Sequence, residues 1–402
     1  MSVMTGKKMY MARAIAAAVL SQAGVASAMD TGSPISVDGF GTLAAVHNDN
    51  HSVSFYDADD RTDWNTDSML GLQVKLPLLD RLSLTGQVVA RGYENYDLQV
   101  EWMFLTYEAA DDLYLRGGRL RIPFFMFSDS LEVGYSYPWI RLPVDVYGQL
   151  GFTTFEGADA VYSMPIGNMK LELQPFAGST KPDYIRSGQN GRLEVSNLWG
   201  LHAVLGNDWL ELHASHTEGD FDLRGIDSIS GYLGGLEMAG FPAVADQFGT
   251  NNRHGTFDGL GFDANLDNFR LIGEYTRRGT DGLIANTTGW YTTLAYTYKA
   301  FTPHITFSEL KTTEDFSGEI LAATAMPPML AMGTMQFAHM NKVNESSVTV
   351  GLRWDVANNT ALKMEWQRIN PDNDSSPLFA VRDFTYAGDP VNVYSVAVDF
   401  VF

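Results

Sequence analysis

Long stretches of this chain alternate apolar and polar residues with a period of two. In SSVTVGLRWDVA, 346–357, Val348, Val350, Leu352, Trp354 and Val356 take one face of an extended strand, and Thr349, Gly351, Arg353 and Asp355 take the other. In LSLTGQVVARGY, 82–93, Leu82, Leu84, Val88 and Ala90 oppose Ser83, Thr85, Gln87 and Arg91. Around 269–278, Phe269, Leu271 and Tyr275 oppose Arg270, Glu274, Thr276 and Arg278. The pattern recurs at 70–76, 98–108, 168–177, 257–266, 290–299 and 303–310. The last segment, VYSVAVDFVF, repeats it, with Tyr394, Val396, Val398, Phe400 and Phe402 on one face and Ser395 and Asp399 on the other. A soluble sandwich alternates too, so the period alone does not say which solvent the apolar face meets.

The connections add what the period leaves open. Short turns at 77–81, 109–112, 165–168, 206–208, 267–268 and 358–359 alternate with longer, polar or Gly-rich loops at 48–65, 93–97, 123–156, 178–192, 219–254, 279–288, 312–345 and 370–390. Strands of about ten residues, with short turns at one end and long loops at the other, are the pattern of an outer-membrane barrel. Counting strands between these connections gives sixteen, from near Ile35 to Phe402. A barrel of that size leaves an aqueous channel. Trp64, Tyr93, Tyr114, Trp209, Trp290, Tyr298 and Trp366 fall near strand ends, where interfacial girdles place aromatic rings.

Composition narrows the choice further. Lys7, Lys8 and Arg13 precede the apolar stretch AIAAAVLSQAGV and then Ala26-Ser27-Ala28, the pattern of a cleaved signal peptide over 1–28. The remaining 29–402, a single barrel domain, carry 24 basic against 48 acidic residues, a net charge of −24, which disfavours nucleic acid as a partner. There is no cysteine, so no disulfide braces the exported chain. No segment beyond 28 approaches about 18 uninterrupted apolar residues, which excludes helical spans. The fold read from the sequence is therefore all-β, a transmembrane antiparallel β-barrel.

Residues 115–147, LRGGRLRIPFFMFSDSLEVGYSYPWIRLPVDVY, carry the functional reading. Pro123, Pro138 and Pro143 interrupt any regular strand, and Phe124, Phe125, Phe127, Tyr135, Tyr137 and Trp139 need a surface to pack on, such as the inner wall of the barrel. With this segment and the Phe-ended final strand, the chain resembles the Gram-negative outer-membrane porins over nearly all of 29–402. The resemblance implies that the third long loop, 123–156, folds inward and narrows the channel, and that the mature protein is a homotrimer in outer-membrane lipid and lipopolysaccharide. It also implies that the last strand, with Tyr394, Phe400 and Phe402, is read by the barrel-assembly machinery.

Strand parity then sets Lys75, Arg91, Arg119 and Arg121 on the lumen wall, with Glu101 among them, facing Asp129 and Glu132 at the loop tip. Wall cations across a narrow gap from loop carboxylates form the kind of charged ring that sets ion preference. Arg116 is the alternative to Arg119 if Gly117-Gly118 forms a bulge. Arg141 and Asp145 are a candidate pair anchoring the loop. The reading is a porin passing small hydrophilic solutes and ions by diffusion, or else a selective channel for anions such as phosphate or carboxylates. The net charge argues for cations and the wall arginines for anions. His202, His213 and His216 lack metal-ligand spacing. The acidic stretch 56–67, with Asp57, Asp59, Asp60 and Asp63, lacks the EF-hand pattern, and no hydrolase motif is present, so no metal, cofactor or enzymatic activity is read. Two loops, 231–249 and 319–337, are unusually apolar for solvent-exposed segments and suggest a cap on the vestibule, a less polar solute site, or mutual packing.

Overall fold

The computed structural model describes residues 35–402 except 56, 57, 59, 187, 188, 315, 316, 373, 374, 376, 383–385 and 387. The leader 1–28 and the loop acids Asp57 and Asp59 lie outside the described residues. The alternating segments form sixteen antiparallel barrel strands. Before the third long loop come β1 (Ser36–Asn48), β2 (Met69–Leu79), β3 (Leu82–Arg91), β4 (Leu98–Ala110) and β5 (Leu113–Arg121). After it come β6 (Thr154–Ile166), β7 (Met169–Thr180), β8 (Gln189–Gly206), β9 (Leu210–Arg224), β10 (Arg253–Leu266) and β11 (Phe269–Thr280). The barrel finishes with β12 (Thr287–Tyr296), β13 (Phe301–Thr312), β14 (Asn344–Ala357), β15 (Thr360–Pro371) and β16 (Val391–Val401). Each pairs with the next, and β1 pairs with both β2 and β16, so every barrel edge is closed.

The apolar face of each strand points outward. On β16 Tyr394 and Val396 are exposed, while Val393, Ser395, Ala397 and Asp399 are buried towards the lumen. On β11 Phe269 and Tyr275 are exposed, and Glu274 and Thr276 are buried. Exposed aromatics gather near strand ends, among them Trp209, Trp290, Tyr296 and Tyr298, whereas Trp366 lies mid-strand. No helix among the described residues is long and apolar enough to cross a membrane, and crossing by strands needs none.

At the closing seam β1 carries glycine where β16 carries rings. A Cβ at Gly39 would lie 2.1 Å from the Phe402 ring, and one at Gly41 would lie 2.6 Å from that of Phe400. The rings therefore lie flat on bare backbone, and Gly39 and Phe402 exchange backbone hydrogen bonds of 2.8 and 2.9 Å.

The two apolar loops are helical, which their sequences did not announce. The first holds α2 (Asp227–Met238) and α3 (Pro242–Gln247), the second α4 (Ser317–Ala323) and α5 (Pro328–Asn341), numbered after a single-turn α1 (Val144–Tyr147) in the third loop. They pack on each other: Tyr232 stacks on Phe337 at 4.8 Å, and Leu236, Phe248, Met326 and Ala338 share one core with Leu223 and Leu283 at the strand ends. Mutual packing is thus the arrangement found, set on the long-loop end of β9–β14.

Candidate functional site

The third long loop, 122–153, folds into the barrel and lies against its inner wall. Its aromatic residues supply the reason. Phe124 and Phe125 meet Phe257 of β10 edge-on at 5.3 and 5.1 Å, and Trp139 meets Tyr291 of β12 at 5.7 Å. These rings join Leu120, Phe155, Phe176 and Ile272 in the largest buried cluster. An apolar, Pro-broken segment has thus found a core inside the lumen.

Polar contacts lock the loop along β13–β16. Trp139 donates its indole N–H to Thr306 at 2.8 Å, the Ile140 amide donates to Glu365 at 2.8 Å, and Arg353 donates to the carbonyls of Tyr135 and Tyr137 at 2.6 and 3.0 Å. Lys363 is fully buried; it donates to the carbonyls of Gly134 and Trp139 at 2.7 and 2.5 Å and pairs with Asp399 at 2.7 Å. Thr42 of β1 donates to the other Asp399 oxygen at 2.5 Å. In this dry place carbonyls and a carboxylate replace the water around the ammonium group.

Arg141 and Asp145 both fasten the loop, but not to one another. Arg141 pairs with Asp67 of the first long loop at 2.5 Å and donates to Ser395 at 2.7 Å. Asp145, wholly buried at the start of α1, accepts from Ser308 at 2.5 Å. Burial pushes its carboxyl up to about 6, against the hydrogen bonds from Ser308 and Ser347.

The expected transverse gap is closed where Arg91 sits. Arg91 of β3 donates to Glu132 of the loop and to Glu101 of β4, both at 2.6 Å, and reaches Glu94 at 3.3 Å. Arg121 lies 3.4 Å from Glu101 and 3.7 Å from Glu132 and stands over the Trp102 ring. Arg91, Glu101, Arg121 and Glu132 are all buried. Burial works against the charge on Glu132, but Arg91 and Arg121 outweigh it and hold its carboxyl below the ordinary value. Four of the residues read from the sequence therefore come together, in direct contact rather than across water. Glu101 reaches this cluster because it is the extra residue of a bulge, where Gln87 pairs with Trp102 and Val88 with Val100.

Arg119 lies on the other face. It pairs opposite the outward Met103, is exposed, and meets Glu156 at 3.1 Å. Arg116 takes the lumen side in its place, with a bidentate pair to Asp159 at 2.7 and 2.5 Å, and Gln174 adds a third bond to Asp159 at 2.8 Å. Between the two arginines Gly118 adopts φ +139°, and a Cβ there would lie 2.3 Å from the Met103 carbonyl oxygen, so only glycine fits. Asp129, at the loop tip, is exposed and couples electrostatically to Arg116 and Arg121. Lys75 also faces the lumen, but it pairs with Thr85 and Ser36, six positions along β2 from Met69, the partner of Arg91. It belongs to the short-turn end of the lumen and not to this cluster.

The histidines separate. The His202 and His213 rings lie 5.7 Å apart on the lumen face of β8 and β9, whereas His216 points outward and pairs with Asp258 at 2.6 Å. No group of three metal-ligating side chains forms among the described residues.

Three solved structures share this closed barrel. An anion-selective porin from Comamonas acidovorans aligns with a TM-score of 0.54 at 12% identity, over 92% of this chain and 99% of that one. The chain has the porin fold. Salmonella typhi OmpF, solved with daunomycin, aligns with a TM-score of 0.56 at 10% identity, over 92% and 97%. The outer-membrane channel DcaP of Acinetobacter baumannii gives 0.53 at 12%, also over 92% and 97%. No family model matches the chain, and no curated protein matches it in sequence. At these identities the porin likeness is one of backbone path, in strand count and closure.

Proposed function

We propose that the protein is a diffusion channel of the Gram-negative outer membrane, exported by its leader 1–28 and assembled as a homotrimer in lipid and lipopolysaccharide. It passes small hydrophilic solutes and ions, and it performs no chemistry. The observation that carries this reading is the third loop, which lies along one arc of the lumen wall and leaves charged side chains on the other arc. In this reading the channel narrows between Asp129 at the loop tip and Arg116 on β5, with the Arg91, Glu101, Arg121 and Glu132 cluster fixing the loop beside it. Charge at the narrowest point outweighs the net charge of −24, because salt screens distant loop acids beyond about 8–10 Å.

The reading as an anion-selective channel built on an arginine ladder loses its residues. Arg91 and Arg121 neutralise Glu101 and Glu132, and Arg119 faces outward. Opposed charges at the tip favour weak selectivity. Reversal potentials across a planar bilayer under a KCl gradient test the assignment. Asp129→Asn is expected to move the permeability ratio roughly two- to threefold towards chloride by removing one of the few charges at the narrowest point. Stepwise channels with an unmoved ratio would remove Asp129 from the constriction, and a protein that forms no channels would end the porin reading.

A further inference from the structure

A cavity of about 270 Å³ lies between the root of the third loop and the inner faces of β8, β9 and β10. Phe124 and Phe152 on the loop side and Leu198, Phe221 and Phe257 on the wall side give it an apolar lining. These rings brace one another, with Phe124 edge-on to Phe152 at 5.7 Å and to Phe257 at 5.3 Å. The lumen of a diffusion channel is expected to be polar, so an apolar recess in its wall is a departure from that pattern.

The recess is written into the strands. Gly219 of β9 and Gly255 of β10 stand directly opposite each other, and both line the cavity. Neither has a positive φ, so the backbone does not demand glycine at either place. A Cβ on Gly255 would make ordinary contact with the Phe221 ring at 3.4 Å, so a side chain is tolerable there and would occupy the hollow. A Cβ on Gly219 would lie 3.1 Å from Val195, a tighter fit, so Gly255 is the glycine whose missing side chain leaves room in the cavity. Beside them Thr217 lines the same space; it is buried, and its hydroxyl has no hydrogen-bond partner. A buried hydroxyl without a partner costs free energy that a bound polar group would recover. Arg278, at the rim, already donates to the carbonyls of Gln149 and Ala285.

We propose that this recess is a binding site for a neutral, ring-sized apolar solute bearing one hydrogen-bonding group, whose ring sits among the phenylalanines and whose polar atom meets the Thr217 hydroxyl. An apolar cavity of about 150 Å³ already takes one benzene ring, so the volume suits a substituted monocycle. The inference rests on the channel reading for the route by which solute arrives. It makes the pore wall a place where such molecules pause during passage.

Fluorine NMR of 4-fluorophenol and of fluorobenzene, each added to the full mature protein in lipid nanodiscs, tests the site, with conductance recorded in parallel. Saturable broadening of the 4-fluorophenol line, competed by phenol, is expected for the wild type. Gly255→Leu fills the hollow and is expected to weaken both probes more than tenfold. Thr217→Val keeps the shape and removes the hydroxyl, so it is expected to weaken 4-fluorophenol about fivefold and leave fluorobenzene unchanged. Equal broadening in wild type and Gly255→Leu would mean partition into lipid and overturn the site. An equal loss of both probes in Thr217→Val would overturn the hydrogen bond. Open channels without saturable binding would discard the recess and keep the pore, whereas saturable binding lost in Gly255→Leu without any conductance would keep the recess and discard the pore.

Discussion

Two arcs of one lumen wall differ in the charge left exposed beside them. Along β13–β16 the inward loop covers Lys363, Glu365, Arg353 and Asp399, and each is bonded to loop backbone or to another charge. Along β5–β7, Arg116 and Gln174 hold Asp159, and Asp129 at the loop tip, coupled electrostatically to Arg116, is exposed. The same residue types therefore do different work. Under the loop they are fasteners, because a buried charge cannot be left unpaired. On the other arc Arg116 and Asp159 are likewise paired and largely buried, and Asp129 is the exposed charge, the one that can act on ions in the proposed channel.

Removing the lysine under the loop should show the contrast most strongly. Lys363→Met leaves Asp399 buried without its cation and frees two loop carbonyls, an expected loss of about 3–5 kcal/mol in chemical unfolding. The loop should loosen as well, seen as larger and noisier conductance steps. Arg91→Ala strands Glu101 and Glu132 in the same way, but Arg121 remains near both, so the expected loss is smaller, about 2–3 kcal/mol. If neither variant moved stability more than a surface substitution does, the covered arc would not be a fastener.

A third test uses protons. The Asp145 carboxyl, raised to about 6 from an ordinary 3.8, keeps in the folded protein a proton that the unfolded chain releases. Folding stability from this group is therefore present at low pH and declines as pH rises from about 4 to about 6. Asp145→Asn should flatten that decline in unfolding curves taken at successive pH values; an unaltered slope would assign it to other groups. The smallest effect is expected at Arg119. Its pair with Glu156 is outward and exposed, so Arg119→Ala should change stability by less than about 0.5 kcal/mol and leave the reversal potential where it was. A selectivity shift in this variant would put Arg119 back on the pore.

Most of the barrel was legible because a strand's period of two is local and its solvent is not water. The outward sets read around β3, β11, β14 and β16 are exposed or half-buried in the structure, and the long loops fall where the polar and Gly-rich stretches are. Pairing between distant charges was not legible. Arg141 meets Asp67 rather than Asp145 because the first long loop folds over the third, and nothing local to either segment encodes that approach. Parity failed at the end of β5, where Arg119 points out while Arg121 meets the loop; Glu101 faces inward as read, although it does so through a bulge. The Lys363–Asp399 pair did leave a trace, since both residues stand at inward positions of strands whose outer faces are apolar. The helices at 227–247 and 317–341 left less, because a glycine- and methionine-rich apolar run has no strong period of either kind.

The rings of Phe400 and Phe402 lying on Gly41 and Gly39 give the last strand a key and the first a lock. A slip of one residue between β1 and β16 would swing both rings into the lumen and turn Asp399 towards lipid, since strand neighbours point to opposite faces. A slip of two would keep the rings outside but slide at least one of them off its glycine. Closing the barrel is therefore also a check on its alignment, made by shape at the final pair of strands.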